Sequence, residues 1–176
     1  MILPFSTKLN NKPTLFPEKI ITGLNHAQII TWDHTEELFQ TKIISKKGTC
    51  HRIEFDKSII TNPKLHTIRE DKNDRWQVGT KIDFFINVRQ KDMFRFAPVL
   101  PVVSIQKVYM TYKFGDVIEI SIGEKYLVSY IERLEFAVND GFDNWQDFFD
   151  YFYPKIMAAE KQFYKAKLIH WTNLKY

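Results

Sequence analysis

Pro63-Lys64-Leu65-His66-Thr67-Ile68-Arg69-Glu70-Asp71, followed by Arg75-Trp76 and Gly79, sets an amine, a hydroxyl and a guanidinium within one short run. That polarity is unusual for a buried strand, and that chemistry is unusual for a surface turn. Pro63 biases the residue before it toward extended geometry, so a helix does not run easily into the segment. His66 to Arg69 therefore reads as a strand start. In an extended chain Thr67 and Arg69 point to one face, and His66 and Ile68 to the other. Lys64 joins the Thr67 face only if the chain turns between them.

Threonine is a poor nucleophile at neutral pH and needs a base beside it. Lysine is that base only if desolvation or a nearby cation lowers its pKa. Arg69 adds a fixed cation whose planar fork suits carboxylate or phosphate. The bland alternative is an ion-pair-rich surface loop, because Lys64, Arg69, Lys72 and Arg75 face three acids, Glu70, Asp71 and Asp74.

Beyond the run, Gly79-Thr80 turns into a strand over 81–88, with Ile82, Phe84 and Ile86 on one face. Residues 99–112 form a long β-branched and aromatic run, read as one bent strand. Phe114-Gly115-Asp116 is a turn, and Val117 to Ile122 alternates as a half-buried strand. Gly123-Glu124 turns into a strand over 125–128. Ser129-x-x-Glu132 matches a capping box. Its helix points Ile131, Leu134 and Val138 inward and ends at Gly141, a left-handed cap. A second helix runs from Trp145 to Tyr153, capped by Asn144 or Asp143 and stopped by Pro154. Residues 167–172 form the last strand.

Before the run, residues 1–12 are extended, with a turn at Asn10-Asn11. Pro17-Glu18-Lys19 opens a helix whose apolar face is Phe16, Ile20, Ile21 and Leu24, and Gly23 weakens its end. Thr35-Glu36-Glu37 starts another helix, Lys46-Lys47-Gly48 is a turn, and residues 50–55 alternate as a strand. The stretch at about 25–62 lacks linker composition and reads as an elaboration of the same domain. Strands mostly follow one another without intervening helices. That pattern predicts an α+β fold: a partly closed antiparallel β-barrel with short flanking helices.

A chain of 176 residues with 44% hydrophobic and 26% charged content fits one domain with a full core, and fifteen phenylalanines can fill it. Cys50 is the single cysteine, which excludes an internal disulfide and a paired-cysteine zinc site. A reducing, cytoplasmic setting is the simplest reading. No apolar run reaches the roughly 18 residues a membrane span requires, and the first residues are too polar for a signal peptide. The five histidines show no metal-ligand spacing, so no metal and no cofactor is expected. Charge is uneven: 154–176 holds five lysines against Glu160, and 129–153 holds six acids against Arg133. Such a dipolar surface orients an anionic ligand or merely solvates two helices and a strand.

Lys64-x-x-Thr67-x-Arg69 with Gly79 beyond it resembles the motif of ASCH domains, which belong to the PUA-like β-barrels. Residues 16–24 resemble that family's lead-in helix, and 76–85 its turn and strand. Ala137-x-x-Asp140-Gly141-Phe142 with Phe148, Phe149 and Phe152 resembles its helical pair, and His170-Trp171-Thr172 its closing strand. The resemblance spans 16–24 and 63–173. Two departures stand out. The lead-in helix usually abuts the motif, often with a glycine just ahead, whereas here 25–63 intervenes. One ASCH subfamily hydrolyses acetylated cytidine with a lysine, a threonine and a glutamate, and the glutamate's counterpart here is the shorter Asp140.

The resemblance implies RNA or a modified nucleoside as partner, bound in a cleft lined by Lys64, Thr67 and Arg69. Arg69 and Arg75 would contact phosphate or a base edge, and Trp76 would stack. It equally implies an amidohydrolase for an acylated pyrimidine nucleoside such as 4-acetylcytidine, with Thr67 as nucleophile, Lys64 as base and Asp140 in support. A third possibility is a non-catalytic accessory protein in which the motif braces the fold. No partner in a membrane is expected, and the sequence leaves the oligomeric state open.

Overall fold

The computed structural model describes residues 1–33, 62–115 and 117–176. The expected helix at Thr35, the turn at Lys46, the strand over 50–55 and Asp116 lie outside them. Strand β1 (Ile2–Phe5) is followed by a two-stranded ribbon, β2 (Lys8–Leu9) and β3 (Lys12–Pro13). Asn10 and Asn11 both take positive φ between β2 and β3, as a tight primed turn requires. Helix α1 spans Phe16–His26 with proline in its first turn, and it buries Phe16, Ile20, Ile21 and Leu24 as the sequence pattern requires.

The motif strand β4 is His66–Arg69. Then come β5 (Lys81–Ile86), β6 (Phe94–Arg95), β7 (Leu100–Pro101), β8 (Ser104–Lys113), β9 (Val117–Ile122) and β10 (Lys125–Tyr126). Helices α2 (Tyr130–Asn139) and α3 (Trp145–Ala158) precede a single 3₁₀ turn and the last strand, β11 (Phe163–His170).

These strands form an α+β architecture with two main sheets. One is four-stranded, in the order β1-β5-β6 with β7 also on β5; the other is five-stranded, in the order β10-β9-β8-β11-β4. The sheets meet where the chain passes from β7 to β8. There Val102 N–H donates to the Thr80 carbonyl at 2.9 Å, and Val103 N–H to the His170 carbonyl at 2.8 Å. The bent strand expected over 99–112 is thus β7 and β8 around this corner. One pairing departs from an antiparallel barrel: β1 runs parallel to β5. The chain between them is long and contains a helix, the connection that parallel strands need.

The five-stranded sheet buries one face. Val108, Met110, Ile118, Ile120, Ile122 and Leu168 pack there with Phe136, Phe148 and Phe152 from the two helices. A second core gathers Leu3, Phe5, Ile82, Phe84 and Trp171 against α1. Two helix details differ from the sequence reading. Ser129 forms the capping box with Glu132, but α2 presents Phe136 and Ala137 to the core and leaves Ile131 74% exposed. The aromatic ring of Phe136 fills the space under the sheet, and that fixes the helix rotation. Pro154 does not stop α3, which continues to Ala158. Both Pro154 and Asp150, whose carbonyl loses its amide partner, are exposed, so the lost bond falls on the solvent side while Phe148, Phe152 and Ile156 hold the helix to the core.

Candidate functional site

Lys64 is 1% exposed, Thr67 4% and Asp140 5%. Charged side chains are almost never buried to this extent without a partner. The Lys64 ammonium donates to an Asp140 carboxylate oxygen at 3.0 Å and also to the Asp140 backbone carbonyl. The same carboxylate oxygen accepts the Ile68 backbone N–H at 3.1 Å. Asp140 sits at the C-cap of α2 because Gly141 follows in the left-handed region, with φ +96°. Gly141 N–H bonds the Val138 carbonyl at 2.8 Å and Phe142 N–H the Ala137 carbonyl at 3.1 Å, a Schellman closure. The helix cap therefore aims Asp140 at the motif strand. Its shorter side chain still reaches the lysine.

The lead-in helix reaches the motif despite the intervening chain. Lys64 N–H donates to the Lys19 carbonyl at 3.0 Å, and Leu65 N–H to the Asn139 carbonyl at 2.8 Å. A Cβ on Gly23 would lie 2.9 Å from both the Lys64 carbonyl oxygen and Leu65 Cδ2. Gly23 thus serves close helix–strand approach rather than helix termination. A Cβ on Gly141 would lie 2.9 Å from Lys64 Cδ and from Phe16 Cε1. The Lys64 ammonium lies 4.8 Å from the centre of the Phe16 ring. Lys19, itself buried, donates to the Gly141 carbonyl at 2.8 Å.

Burial pushes the Lys64 ammonium down to about 8, against the pull of Asp140. Burial raises the Asp140 carboxyl, but Lys64 and His66 outweigh it and hold the group below its ordinary value. The pair is thus charged at neutral pH, with the lysine close to losing its proton. Perturbed groups of this kind concentrate at functional sites, although structural ion pairs also produce them.

The strand alternation is as expected. His66 and Ile68 face Asp140 and the first core, and Thr67 pairs with Ile169 of β11 on the opposite side. Among the described residues the Thr67 hydroxyl has no hydrogen-bond partner, and no bond joins it to Lys64. The Arg69 guanidinium donates to the Pro4 carbonyl and lies 5.3 Å from the Phe5 ring centre, while its Nε is buried without a partner. Arg75 is exposed. Trp76 is 6% exposed and belongs to the second core, so its ring does not offer a free face to a base. Asp71 organises this turn. It accepts N–H from Arg75 at 3.0 Å and Trp76 at 2.8 Å, and the Lys167 ammonium at 2.8 Å.

Sequence reasoning misses Tyr176 and Lys19, and favours a non-catalytic role for His66 and a packed strand for His170. His66 Nδ1 lies 3.5 Å from the Asp140 carboxylate, and its Nε2 lies 2.7 Å from the Tyr176 hydroxyl. That hydroxyl also accepts from Asn139 at 3.0 Å. His170 packs 5.4 Å from His66, ring to ring. Lys19 looked like an ordinary first-turn helix residue. Histidines on alternating apolar strands gave a weak signal for the first pair, and nothing local marked Tyr176.

Both ring nitrogens of His170 are buried and unpartnered. Burial and the neighbouring His66 push its pKa down to about 3. The unfolded imidazole takes a proton near its ordinary value, the folded one only near 3, so stability falls as pH drops below about 6.5. His170→Phe removes this penalty. The free-energy gap between the variant and the parent should move about 2 kcal/mol in the variant's favour from about pH 7.5 to about pH 5. Urea denaturation at the two pH values measures it, and an unchanged gap would show that His170 protonates normally in the fold.

No protein-family model, curated protein or solved structure matches this chain. The site's chemistry rests on its own geometry. Among the described residues no group of three histidine, cysteine or carboxylate side chains is placed to hold a metal ion, and no helix is long and apolar enough to cross a membrane.

Proposed function

We propose that this chain is an ASCH-like domain that holds a modified nucleoside, free or within RNA, against Lys64, Thr67 and Arg69. On this reading the two sheets that meet near residues 100–104 are the halves of a partly closed PUA-like barrel. The observation that carries the proposal is the buried Lys64–Asp140 pair just before β4, with Thr67 on the opposite face of that strand. α1, β4 and the α2 cap fix the pair's orientation in advance, and a ligand carbonyl or amine would reach it by opening the packing that leaves Lys64 1% exposed. The Thr67 hydroxyl and the unpartnered Arg69 Nε give two further polar groups on one strand face. Arg75, exposed nearby, remains the candidate for phosphate. Calorimetric titration with 4-acetylcytidine and with cytidine tests this. Saturable binding weakened tenfold or more by Lys64→Met supports it, and no heat beyond dilution contradicts it.

A second reading, an amidohydrolase, is favoured by the burial of Lys64 on the Asp140 carboxylate, which pushes its ammonium down to about 8. Burial thereby favours the free amine more than in an ordinary lysine. No bond joins Lys64 to Thr67, so this reading requires the start of β4 to turn and bring them together. The amine would then take the Thr67 proton as the oxygen bonds the acyl carbon and the carbonyl pair moves onto oxygen. The carbon–nitrogen bond would then break, with the proton returned to the leaving cytidine nitrogen. Water would release the acyl group from threonine as a carboxylic acid. Chromatography of 4-acetylcytidine incubated with the protein decides this reading. It predicts cytidine formation that rises with pH toward about 8 and falls at least a hundredfold in Lys64→Ala. Absence of cytidine in the intact protein would leave binding alone.

A further inference from the structure

Away from the motif pair, a groove of about 680 Å³ runs between the turn after β4, the end of α3 and the start of β11. Lys72, Lys155, Lys161 and Lys165 line it, against Glu70 and Glu160. None of these four lysines has a carboxylate partner among the described residues. Other lysines of the chain are engaged: Lys167 with Asp71, Lys12 with Asp147 and Lys113 with Glu119. The groove therefore carries an excess of two positive charges, on lysines that are not held in ion pairs.

An aromatic platform adjoins them. Phe163, which lines the groove, is 39% exposed. It stacks on Tyr109 of β8 with ring centres 5.5 Å apart and planes within 2°, and the Lys165 ammonium lies 5.2 Å from the Phe163 ring centre. Both aromatics lie on the open face of the five-stranded sheet, opposite the face covered by the helices. Lys165 pairs directly with Tyr109 across β11 and β8, and Phe163 with Thr111.

We propose that this groove and the adjoining sheet face bind single-stranded nucleic acid, the lysines tracking its phosphates and the Phe163–Tyr109 pair stacking a base. Unpaired lysines alone suit any polyanion. The exposed Phe163 ring, stacked on the half-buried Tyr109, favours a chain that alternates phosphates with flat bases over an acidic peptide. Each lysine that neutralises a phosphate releases counterions, and each stacked base adds a salt-insensitive contribution. The groove starts directly after Arg69, so a strand lying in it passes the end of β4. The inference does not depend on the nucleoside reading, because the two sites use different side chains.

Fluorescence anisotropy with a labelled oligouridine over a salt series tests it. Engagement of four lysines predicts log affinity falling with log salt at a slope of about −3. The charge reversal Lys161→Glu with Lys165→Glu should weaken binding at low salt at least tenfold and flatten the slope by more than about 1. Phe163→Ala should weaken binding about fivefold to a hundredfold with the slope retained. Circular dichroism melts confirm that the variants stay folded. No binding at low salt, or binding indifferent to all three substitutions, overturns the proposal. Equal displacement by polyglutamate, with Phe163→Ala without effect, overturns it in favour of an acidic protein partner. Binding of 4-acetylcytidine is measured on the same variants. Loss of oligouridine with nucleoside retained locates the polymer in the groove, and nucleoside binding that fails in every variant and in the parent tells against the motif site alone.

Discussion

Asp140→Ala is expected to cost about 3–5 kcal/mol of stability. The carboxylate is the sole counter-charge bonded to Lys64 among the described residues, and it also accepts the Ile68 N–H. Its removal strands a cation that is 1% exposed, and stranding a buried charge costs far more than the intact pair contributes. Two companion variants separate charge from shape. Asp140→Asn keeps an acceptor for Ile68 but no charge, so Lys64 should shed its proton more readily. Its deficit should then shrink as pH rises from about 7 to about 9, because the folded state no longer holds a proton that the unfolded lysine keeps. Adding Lys64→Met to Asp140→Ala should restore part of the loss. Urea midpoints at constant slope read all three. A loss below about 1 kcal/mol for Asp140→Ala would mean that water already reaches the pair.

Gly141→Ala is expected to cost about 3 kcal/mol, by two additive routes. The residue sits at φ +96°, where a Cβ is strained, and that Cβ would meet Lys64 Cδ and Phe16 Cε1 at 2.9 Å. Gly115→Ala is the comparator. It also has positive φ, at +71°, but nothing lies within 4 Å of the added carbon, so only the backbone penalty of about 1 kcal/mol applies. The difference between the two variants isolates the packing around Lys64. Thermal melts of both provide it, and equal losses would show that Phe16 and Lys64 yield to the methyl. If Lys64 holds the nucleoside as proposed, Gly141→Ala should also weaken 4-acetylcytidine, since the added Cβ would meet Lys64 Cδ.

Local chemistry explains which parts of this fold were legible from the chain. The capping box at Ser129, the glycine cap at Gly141 and the alternation of Val117 to Ile122 each need only a few adjacent residues, and all three stand as read. So does the apolar face of α1. The features that escaped depend on distant partners. β1 lies parallel on β5 because the second core needs Leu3 and Phe5, which no local pattern announces. Pro154 breaks most helices, but here the aromatic anchors on either side outweigh its missing bond. Trp76 after a charged turn reads equally as a stacking ring or a core residue, and the Asp71 turn folds it into the core.

The candidate site divides the same way. The motif placed Lys64, Thr67 and Asp140 together in sequence logic, and the structure brings Lys64 to Asp140. Thr67 points to the other side of β4, as alternation requires. Gly23 read as a weak helix end because its neighbour Leu65 is remote in sequence. Tyr176 and His170 bound the pair from the last strand and the residues after it, and only the folded chain brings them to α2.

The most direct test of the central claim is an amide chemical-shift map of the protein as 4-acetylcytidine is added. The account predicts saturating shifts clustered at Thr67, Ile68, Arg69 and Gly141, absent in Lys64→Met, with 155–165 unmoved. Shifts confined to 155–165, or no shift at the β4 strand at saturating nucleoside, would contradict it.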